Sequence, residues 1–230
     1  IALGDCALQG SSTVSSNTGG HNIALGQNSG KNTTNGNNNV FLGCNSGQNA
    51  TSGYSSIFIG ACAGGNGTAT GGYNIALGEN AGQDITGGNY NFLAGYGAGQ
   101  EQTSTSCSIK IGYMAGANGT GDDVISIGAG SGRCNTTGCQ SIFLGDRAGK
   151  CVTTGNCNIF IGKSAGCGSN AKTGSSNIAL GTQTGASLSS GSYNVFFGDF
   201  AGNQTTSTCC RIHIGMNAVR FSRRSELHTS

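Results

Sequence analysis

Apolar and variable residues alternate in short bursts along this chain, and each burst ends on a glycine, as in Ile23-Ala24-Leu25-Gly26, Ile57-Phe58-Ile59-Gly60 and Ile142-Phe143-Leu144-Gly145. Alternation with a period of two is the mark of a strand with one buried face. The terminal glycines are Gly4, Gly26, Gly43, Gly60, Gly78, Gly95, Gly112, Gly128, Gly145, Gly162, Gly181, Gly198 and Gly215, spaced 16 to 22 residues apart and most often 17. That period is too short for a helical hairpin and suits one turn of a stacked sheet. It predicts an all-β parallel β-solenoid, or β-roll, of about 13 coils over residues 1–218, followed by a polar basic tail or junction over 219–230 with Arg220, Arg223 and Arg224.

Counted from the marker glycine, each column predicts a role. The residues one and three places before it are apolar and are expected to point inward. This core ladder comprises Ile23 and Leu25, Ile57 and Ile59, Ile75 and Leu77, Ile142 and Leu144, Ile159 and Ile161, and Ile178 and Leu180. The residue between them ranges from Ala24 through Phe41, Phe58, Phe143, Phe160 and Phe196 to Lys110, Ser126 and His213, which reads as an outward position, with its phenylalanines a candidate surface for lateral association. Three places after the marker the residue is always small, and a second glycine follows in all but the first and last units. A threonine column eight places after the marker predicts a second strand. Asparagine four places before it, at Asn22, Asn39, Asn74, Asn91, Asn158, Asn177 and Asn194, predicts a ladder of side-chain hydrogen bonds at a repeated corner.

Composition narrows the function. Glycine supplies 44 residues, proline none, and charged residues only 9%, so a thick apolar core is out of reach and disorder driven by charge is disfavoured. A formal net charge of +2 gives no footprint for nucleic acid, and no apolar run approaches the ~18 residues of a membrane span, so neither nucleic acid nor membrane insertion is expected. His21, His213 and His228 are far apart and the acids form no recurring cluster, so no catalytic or metal site and no cofactor is predicted.

Eleven cysteines predict an oxidising setting. Cys134 and Cys151 occupy the same place in consecutive coils and predict a disulfide; Cys139 with Cys157 is nearly in register and makes a second, and Cys44 with Cys62 a weaker third. Sequons at Asn32, Asn49, Asn66, Asn118, Asn135 and Asn203 are candidate glycosylation sites, although a repeat that carries a threonine column generates them automatically.

The phrase Asn74-Ile75-Ala76-Leu77-Gly78, completed by Ala81-Gly82 and recurring through residues 1–218, resembles the head repeat of trimeric autotransporter adhesins and similar repeats in phage tail-fibre and other fibrous surface proteins. The resemblance implies a β-roll, usually three chains side by side, displayed outside a cell or virion for attachment. The expected function is thus a structural, non-enzymatic shaft of an extracellular fibre. Its partner would be itself, as a lateral trimer or an end-to-end filament, together with a surface receptor or glycan. The alternative is a secreted glycosylated or ice-binding solenoid.

Overall fold

A computed structural model of the chain describes residues 1–12, 17–168 and 171–218; the expected tail at 219–230 lies outside them. Its strands run in sequence order from β1 (Ala2–Leu3) and β2 (Ile23–Leu25) through β7 (Ile109–Ile111), β8 (Ile125–Ile127) and β9 (Ile142–Leu144) to β13 (Ile212–Ile214). All pair in parallel with their neighbours in one 13-stranded sheet. Equivalent residues face each other with no slip: Ile23 pairs with Val40, Ala24 with Phe41 and Leu25 with Leu42. The chain is a β-solenoid with one sheet face turned in and the other out, about 60 Å long at ~4.8 Å per coil.

The marker glycines are dictated by the stacking. Gly26 has φ of 130°, and a Cβ there would lie 2.6 Å from the carbonyl oxygen of Gly43 in the next coil. Only glycine lets successive backbones approach this closely. The second glycine column is dictated by the core: a Cβ on Gly64 (φ 55°) would lie 2.5 Å from the Phe58 ring. In the first coil Leu8 takes this place at φ 48° and packs, with Ala7, on the core cluster.

The inward and outward columns of the strands are the reverse of the sequence expectation. Ile23, Leu25, Ile57, Ile59, Ile75, Leu77, Ile142, Leu144, Ile159, Ile161, Ile178 and Leu180 are half-buried or exposed; Leu25, Ile59 and Ile161 each keep 38% of their surface. The middle residues Ala24, Phe41, Phe58, Phe143, Phe160 and Phe196 are at most 1% exposed and form the core. The phenylalanines are therefore not a surface for association.

Volume explains how so variable a column can line the interior. In several coils the residue nine places after the middle one is a buried partner of complementary size on the opposite wall: Phe41 with Ala50, Phe58 with Gly67, Ala76 with Ile85, and Ala179 with Leu188. Large faces small and the interior stays filled. The small column between them is fully buried except at the terminal Ala7 and Ala218, and where it carries serine the hydroxyl is satisfied, Ser46 Oγ donating to the Phe58 carbonyl at 2.7 Å.

The core also changes character along the rod. One apolar cluster runs from Ala24 to Ala98 and another from Val124 to Ala201. Between them Gln102, Lys110, Ser126 and Asn135 are buried. Lys110 fills the space of a phenylalanine opposite Gly119, and its Nζ donates to Gln102 Oε1 at 2.6 Å and to the carbonyls of Gly116 and Gly119 at 3.3 and 3.1 Å. Burial pulls its pKa down from 10.5 to about 7, with Asp122 opposing the shift.

The expected second strand is absent among the described residues apart from an isolated bridge between Val152 and Lys172. That side of each coil is a turn, still joined to its neighbour by backbone bonds such as Thr34 N–H to the Thr51 carbonyl at 2.9 Å.

Candidate functional site

What the fold offers to the outside is a set of parallel ridges, one per exposed column. The broadest is the outward face of the sheet, where two columns of Ile, Leu, Val and Phe, broken once by Ala94, run side by side. Tight repeat-to-repeat pairing aligns each member with its equivalent, as in Ile57 with Ile75 and Ile59 with Leu77. The members shelter one another laterally, so most are half-buried, but the face as a whole is uncovered. A contiguous apolar strip of this extent is unusual on a monomer.

The asparagine column forms a corner beneath this face. All seven members are buried. Asn39 shows the pattern: its backbone N–H donates to Asn22 Oδ1 at 2.9 Å, its Nδ2 donates to the Gly53 carbonyl at 2.7 Å, and its Oδ1 accepts from Ser56 N–H at 2.9 Å. Asn74, Asn91, Asn158, Asn177 and Asn194 each donate Nδ2 to a carbonyl of the facing turn in the same way. The side chains thus satisfy backbone groups that a sharp buried corner would otherwise orphan.

Threonine hydroxyls point along the rod: Thr86 Oγ1 donates to the Thr103 carbonyl at 2.9 Å and Thr136 Oγ1 to the Thr153 carbonyl at 3.0 Å. These two donors are used within the rod.

The sequon asparagines fall into two groups. Asn66 and Asn118 are exposed and Asn32, Asn49 and Asn203 partly so, with Asn32 Nδ2 bonded to Asn49 Oδ1 at 2.6 Å. Asn135 is only 2% exposed and donates to the Gly138 carbonyl at 2.7 Å, so its amide is closed to a glycosylating enzyme.

All eleven cysteines are free thiols. For two expected pairs the register gives the reason. Cys157 N–H donates to the Cys139 carbonyl at 3.0 Å, but the thiols belong to different columns: Cys139 Sγ meets Asn156 Oδ1 at 3.4 Å and Cys157 Sγ meets Gln140 Oε1 at 3.6 Å. Cys44 and Cys62 are offset by the same single place, with Cys44 Sγ facing Gln27 and Cys62 Sγ facing Asn45. Cys134 and Cys151 do share a column, Cys134 N–H donating to the Lys150 carbonyl at 3.1 Å, yet they are not bonded. The Cys151 thiol instead acts on Cys167, whose pKa is raised by burial first and by Cys151 second.

Sequence reading missed the tyrosine columns. Tyr54, Tyr73 and Tyr90 form one exposed row, with ring centroids 5.2 and 4.9 Å apart, and Tyr96 stacks on Tyr113 at 5.6 Å. Tyr73 and Tyr90 sit at φ of 59° and 58°, in a left-handed corner where other coils carry Asn38, Ser55 or Cys107. Bulky residues seldom adopt that conformation. Their recurrence five places before the marker was the signal available.

Among the described residues no group of three or more His, Cys, Asp or Glu side chains is placed to hold a metal ion, and no helix is long and apolar enough to cross a membrane. No family model matches the chain, and neither the curated proteins nor the solved structures contain a significant match to it.

Proposed function

We propose that this chain is a shaft segment of an extracellular fibre, in which three copies lie side by side with their apolar sheet faces against a common axis and their remaining ridges outward for attachment. The observation that carries this reading is the outward sheet face, whose Ile, Leu, Val and Phe columns run from β2 to β13 with nothing over them. Parallel association of identical repeats brings equal pitches together, so every coil meets its counterpart in the same register. A closed ring of copies covers the whole strip, which an isolated rod leaves in water. The thin interior supports the same conclusion, because each coil buries one middle residue, one small residue and one facing partner, and further apolar burial has to come from outside the chain.

Display outside a cell or virion, and the adhesive role, rest on the repeat resemblance, since the cysteines, all free thiols, add no disulfide argument for an oxidising setting. Electron microscopy of the native assembly tests the reading. Straight rods thicker than one solenoid, with a ~4.8 Å axial repeat, are the expected image. Single, unassociated solenoids would overturn it.

A further inference from the structure

One coil interrupts the ridges that follow the marker glycines. In the two places after the marker, the coil of β7 carries Tyr113 and Met114 and the coil of β9 carries Asp146 and Arg147, but the coil of β8 between them carries only Ala129 and Gly130. The result is a notch of about 260 Å³ with Ala129 and Gly130 as its floor, Tyr113 and Met114 as one wall, and Asp146 and Arg147 as the other, flanked by Arg133 and Lys150. A Cβ on Gly130 would lie 3.9 Å from Arg147 Cγ, so the arginine stem leans over the floor.

The walls differ in chemistry. Tyr113 is 60% exposed; one face of its ring is stacked on Tyr96 with planes 13° apart, and the opposite face looks along the rod into the notch. The other wall and the flank bring three cations, Arg133, Arg147 and Lys150, against one carboxylate, Asp146, 4.0 Å from Arg147. The walls stand two coils apart, about 9.6 Å at ~4.8 Å per coil, which is room for one ring in van der Waals contact with each side.

We propose that this notch binds an acidic sugar residue of a glycan. The apolar face of the ring stacks on Tyr113, its carboxylate pairs with Arg147 and Lys150, and its hydroxyls donate to Asp146. The same carboxylate disfavours a phosphate dianion, and the cations occupy one notch rather than a track along the rod, so a nucleotide or nucleic acid is the poorer fit. The proposal rests on the attachment reading and names the class of its ligand.

Saturation-transfer NMR and titration with glucuronic acid, glucose and AMP test it on the protein as purified. Glucuronic acid is expected to bind with saturation on its ring protons, and glucose about tenfold more weakly for want of the charge-assisted pair. Ala129→Tyr, which would continue the Tyr96–Tyr113 stack and fill the notch, abolishes binding at an unchanged unfolding midpoint. Should that variant fail to fold, Lys150→Gln is expected to weaken glucuronic acid binding about tenfold while leaving glucose unaffected. Absence of glucuronic acid binding, tighter binding of AMP, or a filled notch that still binds would overturn the proposal. Protein that forms the lateral assembly without binding would overturn this site alone, whereas a single rod that binds would overturn the assembly alone.

Discussion

Ile142 and Phe143 are neighbours on one strand, but one lies on the outer strip and the other is fully buried. The outer column is uniform along the rod, while the inner one changes from Phe143 to Ser126 to Lys110 within two coils. Under the proposed lateral association, uniformity marks the face that has to match another surface of the same pitch. Variation is tolerated inside where the opposite wall changes to suit, as Gly119 does for Lys110 and Ala50 for Phe41.

The largest effects should come from breaking the inner column. Phe143→Ala is expected to cost about 3–5 kcal/mol in denaturant unfolding, whereas Ile142→Ala, with less of its surface buried within the chain, should cost well under half of that in the unassociated rod. Next comes the compensation between walls. Ala76→Phe overpacks against Ile85 and should cost about 1–3 kcal/mol, and Ile85→Ala leaves a cavity at about 2–5 kcal/mol. The double variant, which copies the Phe41–Ala50 coil, should recover much of both losses; strictly additive losses in a double-mutant cycle would contradict the pairing.

The corner beneath the outer face is tested by Asn91→Ala. It strands the Ser108 N–H and the Thr105 carbonyl, and about 1–3 kcal/mol should be lost. The polar break adds a response to pH. The folded pKa of Lys110, about 7, lies below its ordinary 10.5, so between those values the unfolded chain holds a proton that the folded one has released. Stability therefore rises with pH across that window and is flat below it with respect to this group. Lys172, lowered to about 8 mainly by burial, acts with the same sign. Lys110→Met should be the more stable protein at pH 7 and should lose most of the rise, as thermal unfolding at several pH values would show.

The period, the parallel stacking and the positions of the asparagine corner were legible because a repeated coil writes the same residue at every equivalent place. The direction of the strands' faces was not, since a period of two fixes which residues share a face without saying which face is inside. The missing sign was present nine residues away: Phe41 is answered by Ala50, Phe58 by Gly67 and Ala76 by Ile85. A uniform column needs no such answer, and the outer ones have none. Two of the three cysteine pairs, Cys139 with Cys157 and Cys44 with Cys62, failed for a related reason, because a single-place offset, harmless in a count along the chain, sends two side chains to different columns.

The central claim is that the uniform outer columns are a self-association surface, and sedimentation of the wild-type protein beside Ile59→Lys/Ile127→Lys/Ile161→Lys tests it most directly. The account predicts a wild-type mass three times the 22.8 kDa of one chain, and a folded single chain for the variant. A wild-type protein that sediments as one chain at every concentration, or a variant whose mass is unchanged, would contradict it.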